Sequence, residues 1–335
     1  MKALYLYAPG DLRLEEKPIP TPKGEEVLVR VTAVGICGSD LHWFEEAGIG
    51  DAKLTRPLVL GHEFAGVVES GNRKGVHVAI DPAISCGHCD YCQEGNPHFC
   101  ESIRFAGHSL QDGGLREYIA WPESHLFPLP ERLTDIEGAV LEPLGVALHA
   151  INLSKMKPGM TVGVFGCGPV GALIVQLARL CGAAAIVATD KLAHRLEAAR
   201  EYGATSAILA RDGEEIPEVM SATNGRGLDL TFEAAGENPA VETAVAVARA
   251  GARVILVGIP SDDKTTFTAS TARRKGLTLM LSRRMKHTYP RAIQLVEKGL
   301  VDARSIATHC FPLVKYQQAF SSAERRDGLK TIIEI

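Results

Sequence analysis

Four cysteines lie close together in the segment CGHCDYCQEGNPHFC, and intervals of two, two and seven residues separate Cys86, Cys89, Cys92 and Cys100. Four thiolates on a short lobe that contains Gly and Pro can close a tetrahedron around zinc, and a site with no open position is structural. Disulfides and an iron–sulfur cluster are the alternatives. The seven-residue interval and the lack of Pro after the last cysteine fit ferredoxin spacing poorly, so the spacing favours structural zinc.

Two other segments place metal-capable side chains beside glycines, GICGSDLHW at residues 35–43 and GHEFAG at residues 61–66. Together Cys37, His62 and Glu63 offer one sulfur, one nitrogen and one oxygen. Such a set leaves zinc an open position for water or substrate, as a catalytic site requires. Spacing alone does not establish that the two segments meet.

A glycine-rich turn, GCGPVG, spans residues 166–171 and carries the GxGxxG spacing. It follows the apolar run TVGVF and opens a helix, so its glycines allow a tight turn and a close approach of pyrophosphate. Asp190 ends the next strand, IVATD, where its carboxylate can bind a ribose diol. That carboxylate would repel a 2′-phosphate, which favours NAD over NADP, although Lys191 and Arg195 partly offset the repulsion.

One acid, Glu142, lies in the otherwise small and apolar stretch AVLEPLGVALHA, residues 139–150. A buried carboxylate is costly unless it is paired, protonated or bound to a metal. If Glu142 is buried, a partner must therefore accompany it.

The elements that must position these groups change in character along the chain. Up to about residue 144, short β-rich runs such as VLVRVTAVGI (27–36) and HVAI (77–80) alternate with Gly and Pro turns. In the first run, Val27, Val29 and Val31 share one face. This part of the chain is predicted to be a β barrel or sandwich.

After residue 150, apolar strands alternate with helices, as in a doubly wound parallel α/β sheet. The predicted elements include an Ala-rich helix over AVETAVAVARAGA (240–252) and a strand over RVILVGI (253–259). From about residue 282, short mixed elements return and are predicted to pack back on the first domain.

The composition limits the classes of function. The chain has 335 residues, 46% hydrophobic and 23% charged, with a formal net charge of -4, so nothing favours nucleic acid and the expected partner is a small molecule. The N-terminus lacks the features of a signal peptide, and no run of about 18 apolar residues predicts a membrane span. A cytoplasmic location is expected, where eight cysteines are metal ligands or core residues rather than disulfides.

Five motifs in order, CGSDLH, GHE, the four-cysteine lobe, LEPLGVALHA and GCGPVG, resemble the zinc-dependent medium-chain alcohol dehydrogenase family. Within that family, LEPL, RRMKHTYPRAIQLV (283–296) and THCFPL (308–313) are similar to the sorbitol, or polyol, dehydrogenase branch. The resemblance covers most of the chain.

The resemblance implies a GroES-like, mainly-β catalytic domain formed by residues 1–144 and 282–335, with a Rossmann NAD-binding domain at residues 145–281. It implies catalytic zinc held by Cys37, His62 and Glu63, with Glu142 either completing the shell or binding the metal's water. Ser39 would relay a proton, and Arg284 would face the substrate.

The resemblance also implies NAD, two zinc ions per chain, one catalytic and one structural, and a homo-oligomer, with a tetramer favoured over a dimer. The implied cofactor contacts are Gly166, Gly168, Pro169, Val170, Gly171, Asp190, Arg195, Val257, Gly258 and Ile259. Trp43 and Met285 stand where polyol dehydrogenases often carry tyrosines, which leaves the identity of the polyol open.

The predicted activity is hydride transfer between NAD and a secondary alcohol of a polyol or sugar-derived substrate. Because a guanidinium also suits carboxylates and phosphates, the presence of Arg284 leaves sugar acids and sugar phosphates as alternative substrates. Threonine is a further alternative within the same family. Two rivals are a zinc-free NADPH quinone reductase on the same fold and a non-catalytic NAD-binding protein. The intact set of candidate zinc ligands argues against both.

Overall fold

The computed structural model describes residues 1–335. The strands are β1 Lys2–Ala8, β2 Asp11–Glu16, β3 Glu26–Gly35, β4 Gly48–Ile49, β5 Ala52–Lys53, β6 Leu58–Val59, β7 Glu63–Val68, β8 His77–Ile80, β9 Ala83–Ile84, β10 Arg104–Phe105, β11 Tyr118–Pro122, β12 Leu126–Pro128, β13 Thr161–Phe165, β14 Ala185–Asp190, β15 Ser206–Leu209, β16 Leu228–Glu233, β17 Ala248–Leu256, β18 Thr278–Leu281, β19 Ala307–Pro312 and β20 Lys330–Glu334. The helices are α1 Gly38–Glu46, α2 Asp90–Gln93, α3 Asp135–Ser154, α4 Pro169–Leu180, α5 Ala193–Tyr202, α6 Ile216–Ser221, α7 Asn238–Val247, α8 Ala269–Lys275, α9 Tyr289–Glu297 and α10 Tyr316–Glu324.

Two compact units divide the chain, one formed by residues 1–142 with 289–335 and the other by residues 143–288. The first boundary falls inside α3, a continuous helix, because residues before and after it pack in different units. The domain limits expected from the sequence, 144/145 and 281/282, stay a prediction.

In the first unit, a seven-stranded sheet has the order β12-β8-β7-β3-β20-β19, and β11 also pairs with β3. Val27, Val29 and Val31 on β3 are buried and alternate with partly exposed neighbours, which confirms the predicted core face. The strand β20, from the end of the chain, pairs antiparallel with β3, so that Ile332 lies opposite Gly35. The C-terminal tail thus completes this sheet.

The tail re-enters the first unit at Tyr289, whose side chain is fully buried. Its hydroxyl donates a 2.9 Å hydrogen bond to the carbonyl of Ile80, and its ring stacks on Phe127 with centroids 4.8 Å apart. Because a buried phenol needs a hydrogen-bond partner, these contacts fix where α9 begins.

The second unit contains a six-stranded sheet of order β15-β14-β13-β16-β17-β18, in which every pairing is parallel. This arrangement confirms the doubly wound α/β interpretation. From the centre of the sheet, β13 to β15 follow one another in one direction and β16 to β18 in the other, so the strand order reverses between β13 and β16. In such sheets, ligands bind beyond the carboxyl ends of the strands at this switch point, and the turn at residues 166–171 follows β13.

The sequence predicts an Ala-rich helix over residues 240–252, and the predicted position of its C-terminal end is wrong. α7 stops at Val247, and Ala248 begins β17. Lys275 Nζ donates to the carbonyls of Val245, Ala246 and Ala248, and Gly251 has a φ of +73°. The ammonium group binds the carbonyls that end the helix, an interaction that helical periodicity does not reveal.

Helix α3 is long and apolar enough, by length and composition alone, to cross a membrane, which the sequence analysis did not anticipate. Of its most apolar window, 72% is buried inside the protein. Core helices pass the same test, so the helix serves here as a core element that carries Glu142.

Candidate metal centres and dinucleotide-binding turn

The Cys37 thiol, the His62 imidazole and the Glu63 carboxylate meet in the first unit, with ligand atoms within 4.8 Å of one another. We call these three side chains the triad. Antiparallel pairing of β3 with β7 places Gly35 opposite Glu63, and Cys37 follows β3 by two residues. The register of this pair therefore brings together two segments whose contact the sequence left open.

The Glu63 carboxylate is buried, and its two oxygens have different environments. Oε1 accepts a 2.7 Å hydrogen bond from Lys330 Nζ, which also donates to the carbonyl of Ile36. Oε2 has no hydrogen-bond partner. A Cβ added to Gly35 would lie only 2.2 Å from Oε2, so the absence of a side chain at Gly35 makes room for this oxygen.

These observations fit a divalent cation held by the triad. A buried carboxylate oxygen without a partner is costly, whereas a bound zinc accepts sulfur, nitrogen and oxygen ligands at about 2.0 to 2.3 Å. The three ligand atoms already lie within 4.8 Å of one another. The triad leaves a tetrahedral ion one further position, as catalytic sites do.

Asp40, in the first turn of α1, orients the triad through contacts with His62 and with the backbone of the two ligand segments. Its Oδ1 accepts from the Gly61 backbone N–H at 3.1 Å and lies 3.4 Å from His62 Nδ1, while Oδ2 accepts from the Cys37 N–H at 2.9 Å. Burial opposes the charge on Asp40, but His62 and the two backbone donors outweigh it and lower its pKa. With Nδ1 directed at a carboxylate, the imidazole presents Nε2 to a metal.

The Ser39 hydroxyl oxygen lies 3.4 Å from His62 Nε2. It is therefore next to the position that a metal or substrate would occupy, and its role in proton relay stays a prediction. Asp40, by contrast, contacts His62 and the backbone of the two ligand segments, which makes it a positioning residue.

Glu142 is buried in α3 and is not one of the three ligands that lie within 4.8 Å of one another. Burial raises its pKa to about 8, and the nearby charge of Glu63 adds to the rise. The charges of His62 and Lys330 act in the opposite direction. Glu142 thus shares the electrostatic environment of the triad without sharing its ligand geometry.

Sequence reasoning missed Lys330. Its side chain is 4% exposed, and burial, which opposes its charge, is outweighed mainly by Glu63, so its pKa is raised. In the sequence, Lys330 begins the run KTIIE at the far end of the chain. No local pattern could have paired it with Glu63, because only the pairing of β20 with β3 brings them together.

The four-cysteine lobe also assembles as predicted by its spacing. Cys86, Cys89, Cys92 and Cys100 have sulfur atoms within 4.8 Å of one another, and Cys92 Sγ lies 3.5 Å from Cys89 Sγ and 4.0 Å from Cys86 Sγ. Tetrahedral zinc with Zn–S bonds of about 2.3 Å places sulfurs about 3.8 Å apart. The lobe fits that ion with little adjustment.

Backbone donors favour the thiolate form of Cys86. The N–H groups of His88 and Cys89 lower the pKa of Cys86 to about 6, and the N–H of Cys86 points at Cys100 Sγ at 3.3 Å. At Cys89 the N–H of Cys92 lowers the pKa, but burial and the neighbouring sulfurs outweigh it and raise that pKa to about 12. Thiolates are the form that binds metal.

In the second unit, the glycine turn has the close contacts that the motif predicts. Gly166 has a φ of +95°, and a Cβ on Gly171 would lie 1.9 Å from the Gly166 carbonyl oxygen. Gly168 is the N-cap of α4, and Pro169 and Val170 begin that helix. The turn therefore presents a helix N-terminus, which suits pyrophosphate.

Asp190 ends β14 and supports this turn. Its Oδ2 accepts from the Cys167 N–H at 2.7 Å, and its Oδ1 accepts from the Leu192 N–H at 2.9 Å. The Arg195 guanidinium reaches over the turn, since its Nη1 lies 3.4 Å from where a Gly168 Cβ would be. An acid and a cation thus flank the predicted adenosine position.

The segment Val257, Gly258 and Ile259 follows β17 at the same edge of the sheet. A Cβ on Gly258 would lie 2.1 Å from the Gly236 nitrogen, and the N–H of Val257 donates to the Glu233 carbonyl. Ile259 is exposed. The backbone here is held close to the loop after β16, and its contact with the cofactor stays a prediction.

Arg284 is half-buried in the second unit and adopts a φ of +53°. A left-handed backbone at a residue other than Gly, Asn or Asp is costly and clusters at functional sites. The structure thus gives Arg284 an unusual backbone, and its contact with substrate stays a prediction.

Comparisons with known proteins agree with this geometry. The Alcohol dehydrogenase GroES-like domain family matches residues 23–131, and the Zinc-binding dehydrogenase family matches residues 169–298. Sorbitol dehydrogenase of Bacillus subtilis (strain 168) is 34% identical over 329 residues, which cover 96% of this chain and 93% of that protein.

Two solved structures have the same fold along the whole chain. An Escherichia coli CFT073 protein described as a short chain alcohol dehydrogenase, complexed with NADH, has a TM-score of 0.91 and 31% identity, covering 100% of this chain and 99% of that one. L-idonate 5-dehydrogenase from Escherichia coli K-12 has a TM-score of 0.92 and 28% identity, covering 100% and 98%. Together these matches confirm the predicted fold class, and the chain belongs to the zinc-dependent medium-chain alcohol dehydrogenase family, in its polyol dehydrogenase branch.

Proposed function

We propose that this chain transfers a hydride between NAD and a secondary alcohol of a polyol or sugar-derived substrate at a zinc held by Cys37, His62 and Glu63. The observation that carries the proposal is Glu63 Oε2, a buried anionic oxygen without a hydrogen-bond partner that belongs to the triad. A cation bound by the triad removes the cost of burying that oxygen. A second zinc in the cysteine lobe is structural.

Zinc in the triad supplies Lewis acidity, which lowers the pKa of an alcohol oxygen bound beside it. Ser39 Oγ, 3.4 Å from His62 Nε2, is the first relay group, which accepts the alcohol proton as its own hydroxyl proton passes on to the cofactor ribose. Asp40 and Lys330 hold His62 and Glu63 in place. Glu142 is either a fourth ligand or an acceptor for a second substrate hydroxyl, which suits a polyol better than a simple alcohol.

The glycine turn and Asp190 bind NAD, which accepts the hydride when the alcohol is oxidised. Both Asp190 oxygens face backbone N–H groups, so this carboxylate is fixed beside the turn. A fixed anion there accepts hydrogen bonds from a ribose diol and repels a 2′-phosphate. NAD is therefore the preferred cofactor, and Arg195 moderates the preference.

A second candidate substrate class is sugar acids or sugar phosphates. The half-buried residue Arg284 favours it, since an Arg guanidinium binds carboxylate and phosphate with two parallel hydrogen bonds. L-idonate 5-dehydrogenase, one of the structures with this fold, is named for a sugar acid. Threonine is a further substrate to be tested.

We further propose that the enzyme is a cytoplasmic homotetramer. β18 is an edge strand of the six-stranded sheet, and Leu281 at its end is 75% exposed. An unpaired edge can form a two-fold contact with the same strand of a second copy. Sedimentation of the purified protein tests this assembly.

The deciding experiment is a screen of NAD reduction by zinc-loaded protein across polyols, sugar acids, sugar phosphates and threonine, with metal analysis of the same sample. We expect about two zinc ions per chain and the highest kcat/KM for a polyol with NAD. Highest activity on an anionic sugar would favour the second candidate class. No turnover of any of these compounds, or reduction of quinones with NADPH and no zinc, would contradict the proposal.

A further inference from the structure

A tight hairpin turn at His108–Gln111 lies in the segment that follows the cysteine lobe. His108 and Gln111 exchange backbone hydrogen bonds of 3.2 and 3.0 Å, so two residues, Ser109 and Leu110, form the turn. Ser109 has a φ of +54°, in a position that favours Gly in two-residue hairpins. Such a backbone is strained at a residue other than Gly and persists only where the surrounding structure holds it.

The residues that flank this turn pack against the backbone of Gly61, which precedes the candidate ligands His62 and Glu63. A Cβ on Gly107 would lie 2.9 Å from the Gly61 nitrogen, and a Cβ on Gly113 would lie 2.2 Å from the Gly61 oxygen. The N–H of Gly114 donates to the Gly61 carbonyl at 2.8 Å. Because Gly61 directly precedes His62, the hairpin is held at a fixed distance from the triad.

Side chains from this segment form a wall of rings that starts at the triad. Phe105 lies against the imidazole of His62, with centroids 5.3 Å apart, and 6.5 Å from the ring of His108. His108 meets Trp43 edge to face at 5.5 Å. We call Trp43, Phe105 and His108 the aromatic wall.

His108 is the polar member of this wall that solutes can reach. Its side chain is half-buried, whereas Trp43 is 1% exposed and Phe105 has no polar atom. Ser109 Oγ lies 2.8 Å from His108 Nδ1 and so holds the ring in one orientation. The strained residue of the turn is therefore the one that orients the imidazole.

Resting on the proposed function, we infer that His108 hydrogen-bonds a substrate hydroxyl other than the one that reacts, and thereby selects polyhydroxylated chains over simple secondary alcohols. The wall begins one ring away from the ligand His62, so a polyol chain that reacts at the metal has this surface within its reach. A site built to bind a hydroxyl rejects an analogue that lacks it.

The test compares His108→Phe, which keeps an aromatic ring but no hydrogen bond, with His108→Gln, which keeps a donor and an acceptor. The measurements are kcat and KM for xylitol and for 2-butanol with the zinc-loaded enzyme and NAD. Loss of one hydrogen bond predicts that His108→Phe lowers kcat/KM for xylitol about tenfold, mainly through KM. We expect less than about a twofold change for 2-butanol, and His108→Gln should recover most of the xylitol value.

The matched control is Leu110→Ala at the exposed tip of the same hairpin. It should leave kcat/KM unchanged for both xylitol and 2-butanol. Equal losses for xylitol and 2-butanol in His108→Phe, or no loss for either, would overturn the inference. If the wild-type enzyme does not turn over 2-butanol, the xylitol dissociation constant of the zinc-loaded NADH complex decides instead. Binding that is weakened by His108→Phe and restored by His108→Gln supports it, and unchanged binding overturns it. Failure of the wild-type protein to oxidise any polyol would instead count against the proposed function.

Discussion

The two candidate metal centres of the first unit differ in how their ligands come together. The cysteine lobe takes four like ligands from residues 86–100, a single stretch with short turns. The triad takes three unlike ligands from two segments of the sheet, and its Glu63 is paired with Lys330 near the end of the chain.

The surroundings of the two centres also differ, in how exposed the ligands are and in which part of the chain supplies their neighbours. Three of the four lobe cysteines are partly exposed, and backbone N–H groups of the lobe itself donate to the sulfurs of Cys86 and Cys100. At the triad, His62 and Glu63 are buried beside Asp40, Glu142 and Lys330. A closed local site can stabilise a lobe, whereas an open buried site with balanced charges can perform chemistry. The contrast predicts that damage to the lobe affects stability and that damage to the triad affects turnover.

Cys37→Ala should produce the largest effect. Loss of a metal ligand removes several kcal/mol of Lewis-acid stabilisation, so NAD reduction should fall at least about 1,000-fold while NAD binding stays nearly unchanged. Zinc should drop by about one ion per chain. The control is Cys310→Ala, an exposed cysteine without a metal neighbour. Equal loss of turnover and of NAD affinity would refute the division of roles.

Lys330→Met tests whether the charge balance of the triad depends on the distant strand. The substitution leaves Glu63 as an uncompensated buried charge in the metal-free protein, which typically costs about 3 to 5 kcal/mol. Calorimetry with and without zinc should show a large decrease in the free energy of unfolding for the metal-free form and a smaller decrease for the zinc-loaded form. Exposed Lys315→Met is the control, and equal stability of the Lys330 and Lys315 variants would contradict the role given to this pair.

Cys92→Ser tests the structural role of the cysteine lobe, as Cys37→Ala tests the catalytic role of the triad. It removes one of four ligands, so the lobe should lose zinc and the melting temperature should fall, because metal binding at such a site contributes to folding. At a temperature where the variant stays folded, kcat should change less than about threefold, far less than in Cys37→Ala. An unchanged melting temperature and zinc content would show that the lobe binds no metal.

Gly35→Ala should have the smallest effect of the four. Its Cβ would overlap Glu63 Oε2, whereas a Cβ on Gly38 meets nothing within 4 Å. Forcing a group into a packed site costs about 1 to 3 kcal/mol, so zinc affinity measured by competition with a chelator should fall about tenfold or more. Gly38→Ala is the matched control, and similar zinc affinities in the two variants would mean that Gly35 is not required for space.

Much of the fold could be predicted from the sequence where the signals are local. The alternation along β3, the strand, turn and helix at residues 161–180, and the parallel sheet of the second unit all agree with the predicted elements. The end of α7 could not be predicted, because Lys275 binds its carbonyls from a helix about 30 residues away. Periodicity contains no information about such a contact.

By itself, the sequence determined the four-cysteine lobe, the glycine turn with Asp190, and the types of ligand in the triad. These features depend on spacing within a few tens of residues, which the covalent chain largely enforces. Only the tertiary structure decided that Cys37 meets His62, that Lys330 pairs with Glu63 and that Glu142 is buried in the same electrostatic environment. The reason is that the register of β3 with β7 and β20 follows from packing of the whole sheet, and distant charges become partners only when that packing removes water from between them.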